Sequence, residues 1–100
     1  MLYAILTEDI PDSASKRAAA RAAHMKRMAA MQDAGRIAIS GPCLATDNPD
    51  PVAAGILGSV IIAEFESLEA ARIWADADPY VAGGVWAKVT VMPFHKGFPK

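Results

Sequence analysis

Three short runs in this chain carry apolar residues on both of their alternating sides, and only two helical segments are available to cover them. In residues 2–7, LYAILT, one set is Leu2, Ala4 and Leu6 and the other is Tyr3 and Ile5. In residues 59–65, SVIIAEF, Val60 and Ile62 oppose Ile61, Ala63 and Phe65. In residues 84–94, GVWAKVTVMPF, Val85, Ala87, Val89 and Val91 alternate with Trp86, Lys88, Thr90, Met92 and Phe94. Successive strand side chains point to opposite faces, so runs of this kind belong to a sheet buried on both sides. RIAISG, from residue 36, supplies a fourth and shorter strand. Between these runs, residues 14–34 are rich in Ala, Arg, Lys and Met, all strong helix formers. Asp12, Ser13 and Ser15 are candidate N-caps, and Gly35 stands where a left-handed C-cap belongs. ESLEAARIWADA, after the third strand, is the second helix, with Ser67 as its cap; residues 79–83 form one further turn.

The order β-α-β-β-α-β predicts an α+β, ferredoxin-like fold, with two helices on one face of a four-stranded antiparallel sheet. The other face is left bare. A second copy packed against it, as a homodimer, solves the problem. The competing solution is a monomer whose long Gly/Pro-punctuated segment, residues 41–58, folds under the sheet as one loop. One hundred residues make a single domain over 1–100. Ten basic and eleven acidic residues, a net charge of −1, argue against a nucleic-acid partner. No window reaches the length of a membrane span, and the start lacks a basic leader. Cys43, the only cysteine, excludes an internal disulfide. Together these features predict a cytoplasmic protein.

The first helix breaks its own pattern. Met28, Met31, Ala20 and Met25 fall on one side, which should meet the sheet, while Lys16, Lys26 and Asp33 lie elsewhere. Arg17, Arg21 and His24 share the apolar side. Charge on a core-facing stripe implies a cavity or a partner, unless the arginines snorkel from its edge. His24 is either a core histidine satisfied by one hydrogen bond or a working group. It stands about ten residues into its helix, and Asp78 about eleven into the second; at 1.5 Å per residue both lie at roughly the same depth if the helices start level. An imidazole held by a carboxylate has its tautomer fixed and its far nitrogen made a better base. Neighbouring arginines would then hold an anionic substrate. Asp78 precedes Pro79, and Asp-Pro is also a common helix opening, with Asp as cap. A carboxylate has two oxygens, so the roles are compatible. Ser40, in SGP, is a turn residue or a hydroxyl donor at a pocket rim. Tyr80 is a packing residue or a phenolic donor. Cys43, His95, His24 and the acids show no metal-ligand spacing, and no Gly-rich phosphate loop occurs, so neither metal nor cofactor is expected.

The early R…H pattern in KRAAARAAHMKRM, the SGP after the second strand, GSVIIAEFESLEAARIWADADPYV and the closing VTVMPF together resemble the YCII-related (YciI-like) family across nearly the whole chain. The resemblance implies a dimeric α/β barrel built from ferredoxin-like units. It also implies an active site with a histidine–aspartate pair, here His24 and Asp78, and the SGP serine, here Ser40. A related dehydrochlorinase of chlorinated hydroxyquinol breakdown uses such a pair. The expected function is therefore a cofactor-independent lyase or isomerase acting on a small polar or aromatic molecule. His24 and Asp78 would do the acid–base work, and Ser40, Arg21, Arg17 and Tyr80 would bind the substrate. The alternative is a non-catalytic, small-ligand-binding dimeric module.

Overall fold

A computed structural model describes all 100 residues. The elements run β1 (Leu2–Asp9), α1 (Ala14–Asp33), β2 (Ile37–Leu44), α2 (Pro51–Ala54), β3 (Ile56–Glu64), α3 (Leu68–Asp76), α4 (Pro79–Ala82) and β4 (Trp86–Phe94). The strands form one antiparallel sheet in the order β2-β3-β1-β4. This is the expected α+β arrangement.

The segment 41–58 is not one loop. β2 continues through Pro42 and Cys43 to Leu44, pairing along β3 to Ile56. Only residues 45–55 leave the sheet, and they contain α2, capped by Asp50, whose side chain accepts from the Val52 N–H. Pro42 survives inside β2 because that strand lies at the sheet edge, where its missing N–H removes no ladder bond. Gly58 is required in the central strand β3. A Cβ there would overlap the Thr7 carbonyl of β1.

One face of the sheet carries Tyr3, Ile5, Ile61 and Ala63, packed with Met28 and Met31 of α1 and with Ala71 and Ala75 of α3 into the core. Met25, expected with them, is 48% exposed. Gly35 closes α1 with φ 70°. At the other end Ser13 occupies the N-cap position, but its hydroxyl caps nothing; it donates instead to the Asp9 carboxylate at 2.6 Å. Ser67 does cap α3, accepting from the Ala70 N–H at 3.0 Å.

Strict alternation fails in β4. Thr7 pairs with Val89 and Glu8 with Lys88, but Asp9 pairs with Trp86, so Ala87 is an extra residue in the ladder. This bulge turns Trp86 to the helix-covered face. The expected grouping of Trp86 with Lys88, Thr90, Met92 and Phe94 is therefore wrong at its first member. On the opposite face lie Leu6, Ile39 and Met92, all exposed, beside the half-buried Val60 and Ile62.

Candidate functional site

The chemistry gathers where α1 meets α4. Pro79 pre-sets the first turn of α4 and holds Asp78 in extended geometry, φ −65° and ψ 138°. Oδ1 of Asp78 accepts the Tyr80 backbone N–H at 2.9 Å, which is the capping bond. The same carboxylate meets Nδ1 of His24, 2.9 Å from both oxygens. A third donor was not anticipated from the sequence: Arg27 Nη1 donates to Oδ2 at 3.0 Å, and its Nη2 donates to the Trp74 carbonyl at 2.7 Å. Arg27 also lies over the Trp74 ring, 4.4 Å from its centroid. Asp78 is thus both cap and imidazole partner, with its side chain fully buried.

An acceptor-only carboxylate at Nδ1 selects the tautomer with the proton there. Nε2 of His24 is then left with a free lone pair, and no group of the chain hydrogen-bonds to it. The imidazole is held from the side as well. It stacks on Tyr80 at 4.1 Å with an interplanar angle of 20°, and stands edge-to-face with Trp86 at 6.0 Å. The β4 bulge is what brings the indole there. Its buried Nε1 finds no acceptor.

A second buried acid, also unforeseen, organises the start of α1. Asp9 sits at the end of β1 with its side chain 1% exposed. Arg17 grips it with Nε at 2.6 Å and Nη2 at 3.0 Å, and Nη2 reaches Ser59 Oγ at 3.2 Å. Arg17 also lies over the Tyr80 ring, 4.9 Å from its centroid. Tyr80 is 2% exposed. Burial pushes its phenol above the ordinary 10.0, while the Arg17 and Arg21 guanidiniums pull the other way. With burial dominant, the hydroxyl keeps its proton at neutral pH and is available as a donor.

A cavity of about 620 Å³ opens between α1 and the β2 edge, lined by Arg17, Arg21, His24, Ser40, Ser59 and Tyr80 among apolar neighbours such as Met28 and Ile61. The structure brings all six residues named from the sequence together. His24, Ser40, Tyr80, Arg17 and Arg21 line the cavity, and Asp78 stands behind His24. Ser40 is reached by a different route from the one expected. It lies within β2, opposite Ile61, rather than in a turn at the strand's end. Arg27 had a signal in its position, three residues after His24 and so on the same helix side. Asp9 had one too, as the acid that ends β1, four residues before Ser13 and eight before Arg17. No cluster of three or more His, Cys, Asp or Glu side chains is placed to hold a metal ion.

Comparison with known proteins extends this picture. In solved structures, the chain is similar to the 5-chloro-2-hydroxyhydroquinone dehydrochlorinase of Burkholderia phenoliruptrix AC1100, determined in complex with 2,5-dihydroxybenzoquinone. The TM-score is 0.86 with 27% identity, over 97% of this chain and 96% of that one. Among sequences, it is 55% identical to Protein YciI of Escherichia coli O6:H1, over 98% of this chain and 100% of that protein. An uncharacterised protein of Haemophilus influenzae is 46% identical over the same shares. The model of the YCII-related domain matches residues 1–95, and with these relatives it shows that the chain belongs to the YCII-related family.

Proposed function

We propose that this protein is a small-molecule enzyme that moves a proton with His24 and needs no cofactor. One observation carries the reading: Nδ1 of His24 is bonded to a buried carboxylate at 2.9 Å, while Nε2, on a cavity-lining residue, has no partner. Asp78 orients the ring and stabilises the imidazolium that forms. Nε2 takes a proton from a substrate carbon or hydroxyl, and the electron pair released enters the substrate's conjugated system. If it expels a leaving group as an anion, the reaction is an elimination. If the imidazolium returns the proton at another carbon, it is an isomerisation. Tyr80 and Ser40 offer hydroxyl donors to the oxygen where charge develops. The structural likeness to a dehydrochlorinase supports elimination from a hydroxylated ring as the first reaction to try.

The test is a screen of halogenated hydroxyquinols and related phenols, reading halide release and ring absorbance. His24→Ala and Asp78→Asn should each lower turnover about a hundredfold or more. Unchanged turnover in both variants would refute the mechanism. Binding without turnover would leave a small-ligand-binding module. The bare sheet face, with Leu6 at 38%, Ile39 at 65% and Met92 at 41% exposure, supports a homodimer closed face to face. Sedimentation showing only monomer at micromolar concentration would exclude it. No helix is long and apolar enough to cross a membrane. The exposed free thiol of Cys43 suits a reducing compartment, supporting a cytoplasmic location.

A further inference from the structure

We infer that the cavity beside α1 selects a planar ligand bearing a single negative charge, a phenolate or carboxylate on an aromatic ring, and that Arg21 alone takes that charge. The inference rests on reading this cavity as the binding site. Its basis is the way the surrounding charges are already committed. Arg17 spends its fork on Asp9, through Nε at 2.6 Å and Nη2 at 3.0 Å, and this carboxylate is out of water. Arg27 is committed to Asp78, which also holds His24. Three guanidiniums therefore face two buried carboxylates, and the third, Arg21, makes no ion pair and no hydrogen bond within the chain. It lines both this cavity and a neighbouring one of about 640 Å³, with which the first also shares Arg17, Pro51 and Ile56. Asp12 lines the second cavity but does not pair with Arg21. Arg17 is in this scheme a positioning residue. It fixes Ser59 and the Tyr80 ring and has little charge left to offer.

This arrangement discriminates by charge number. A neutral ring forfeits the charge-assisted bond to Arg21. A dianion brings a second charge into a site whose other cations are occupied, where an unpaired charge is costly. The parallel His24–Tyr80 pair and the adjoining methionines favour a flat apolar body behind the charged group.

The experiment is titration calorimetry at about pH 8 with benzoate, benzamide and phenyl phosphate, the last then mostly a dianion. The shift of the His24 ring resonances locates each probe. Benzoate should bind about tenfold or more tighter than either of the others. Arg21→Gln, at an exposed helix position, should weaken benzoate about ten- to a hundredfold and leave benzamide unmoved. Asp9→Asn should free Arg17 and improve phenyl phosphate relative to benzoate; should that variant unfold, the Arg21→Gln result decides alone. Phenyl phosphate binding as tightly as benzoate, or Arg21→Gln leaving benzoate unchanged, overturns the inference while the site stands. Failure of all three probes to bind at about millimolar concentration overturns both the inference and the reading of the cavity as a site for small aromatic ligands.

Discussion

Replacing Asp78 by Asn removes one charge and changes no volume, yet the geometry makes it expensive. Two fixed donors point at different oxygens: the Tyr80 N–H at Oδ1, 2.9 Å away, and Arg27 Nη1 at Oδ2, 3.0 Å away. An amide has one acceptor. Whichever way it turns, its NH2 faces a donor that cannot move aside, because one is backbone and the other is pinned by the Trp74 carbonyl. The lost charge-assisted bond is worth about 1.5–3 kcal/mol, and stripping one partner from a fully buried pair costs about 3–5 kcal/mol. Arg27 keeps its bond to Trp74 and is 24% exposed, so the lower end applies, about 2–3 kcal/mol in all. In a domain of this size that lowers Tm by roughly 10–20 °C. Urea unfolding gives the free energy, and nitrogen-detected NMR of the neutral imidazole gives the tautomer. Wild type should hold its proton on Nδ1. The variant should lose that preference, because the ring then faces an amide with a donor of its own. A variant within about 0.5 kcal/mol of wild type, or a wild-type ring carrying its proton on Nε2, would refute the account of Asp78 as the shared acceptor of three donors.

Three further expectations concern other parts of the molecule. Because burial raises the Tyr80 pKa above its unfolded value of 10.0, the native state holds that proton more tightly. Its contribution is complete below pH 10.0 and is lost as the pH climbs toward the folded value, so the stability gap between wild type and Tyr80→Phe should narrow above pH 10.0 in denaturant titrations. Gly58→Ala sets a Cβ against the Thr7 carbonyl and should cost at least about 3 kcal/mol by chemical denaturation; a neutral result would mean that β1 and β3 are not paired in this register. Met92→Glu and Ile39→Lys place charge on the exposed apolar sheet face and should convert a dimer to monomer in sedimentation, leaving the circular dichroism of the protomer intact.

Strand and helix order was legible because each element carries its own period. Counting alone sorts Ile5 from Leu6 and Ile61 from Val60, but with both sets apolar it does not tell which set the helices cover; that face belongs to Ile5 and Ile61. The same counting failed wherever the ladder gains a residue. Trp86 changes face because of Ala87, a bulge that leaves no mark in an alternating apolar run. Gly41 and Pro42 read as the start of a loop, since Gly and Pro usually interrupt ladders, but an edge strand tolerates both; only the NPDP stretch further on leaves the sheet. His24 was visible as a polar residue on an apolar stripe, and Asp78 as an acid before proline. Arg27 and Asp9 were less visible. A surface-type residue gives no sign in one dimension that its head group will reach across to a buried acid, 51 residues away in one case and 8 in the other.

The double use of Asp78 changes what its presence in a sequence can be taken to mean. Its capping bond and its grip on Arg27 would be worth keeping in a chain that had lost every catalytic ability. An aspartate before proline at this place is therefore a record of the fold, and by itself a poor witness to activity. His24 carries the opposite information. It caps nothing, and its only hydrogen bond within the chain runs to Asp78. A relative with leucine there would keep a comparable packing surface, whereas one with histidine has kept a group whose far nitrogen has no partner within the chain. Under the proposed mechanism, the histidine would separate proteins of this shape able to move protons from those that only share the architecture.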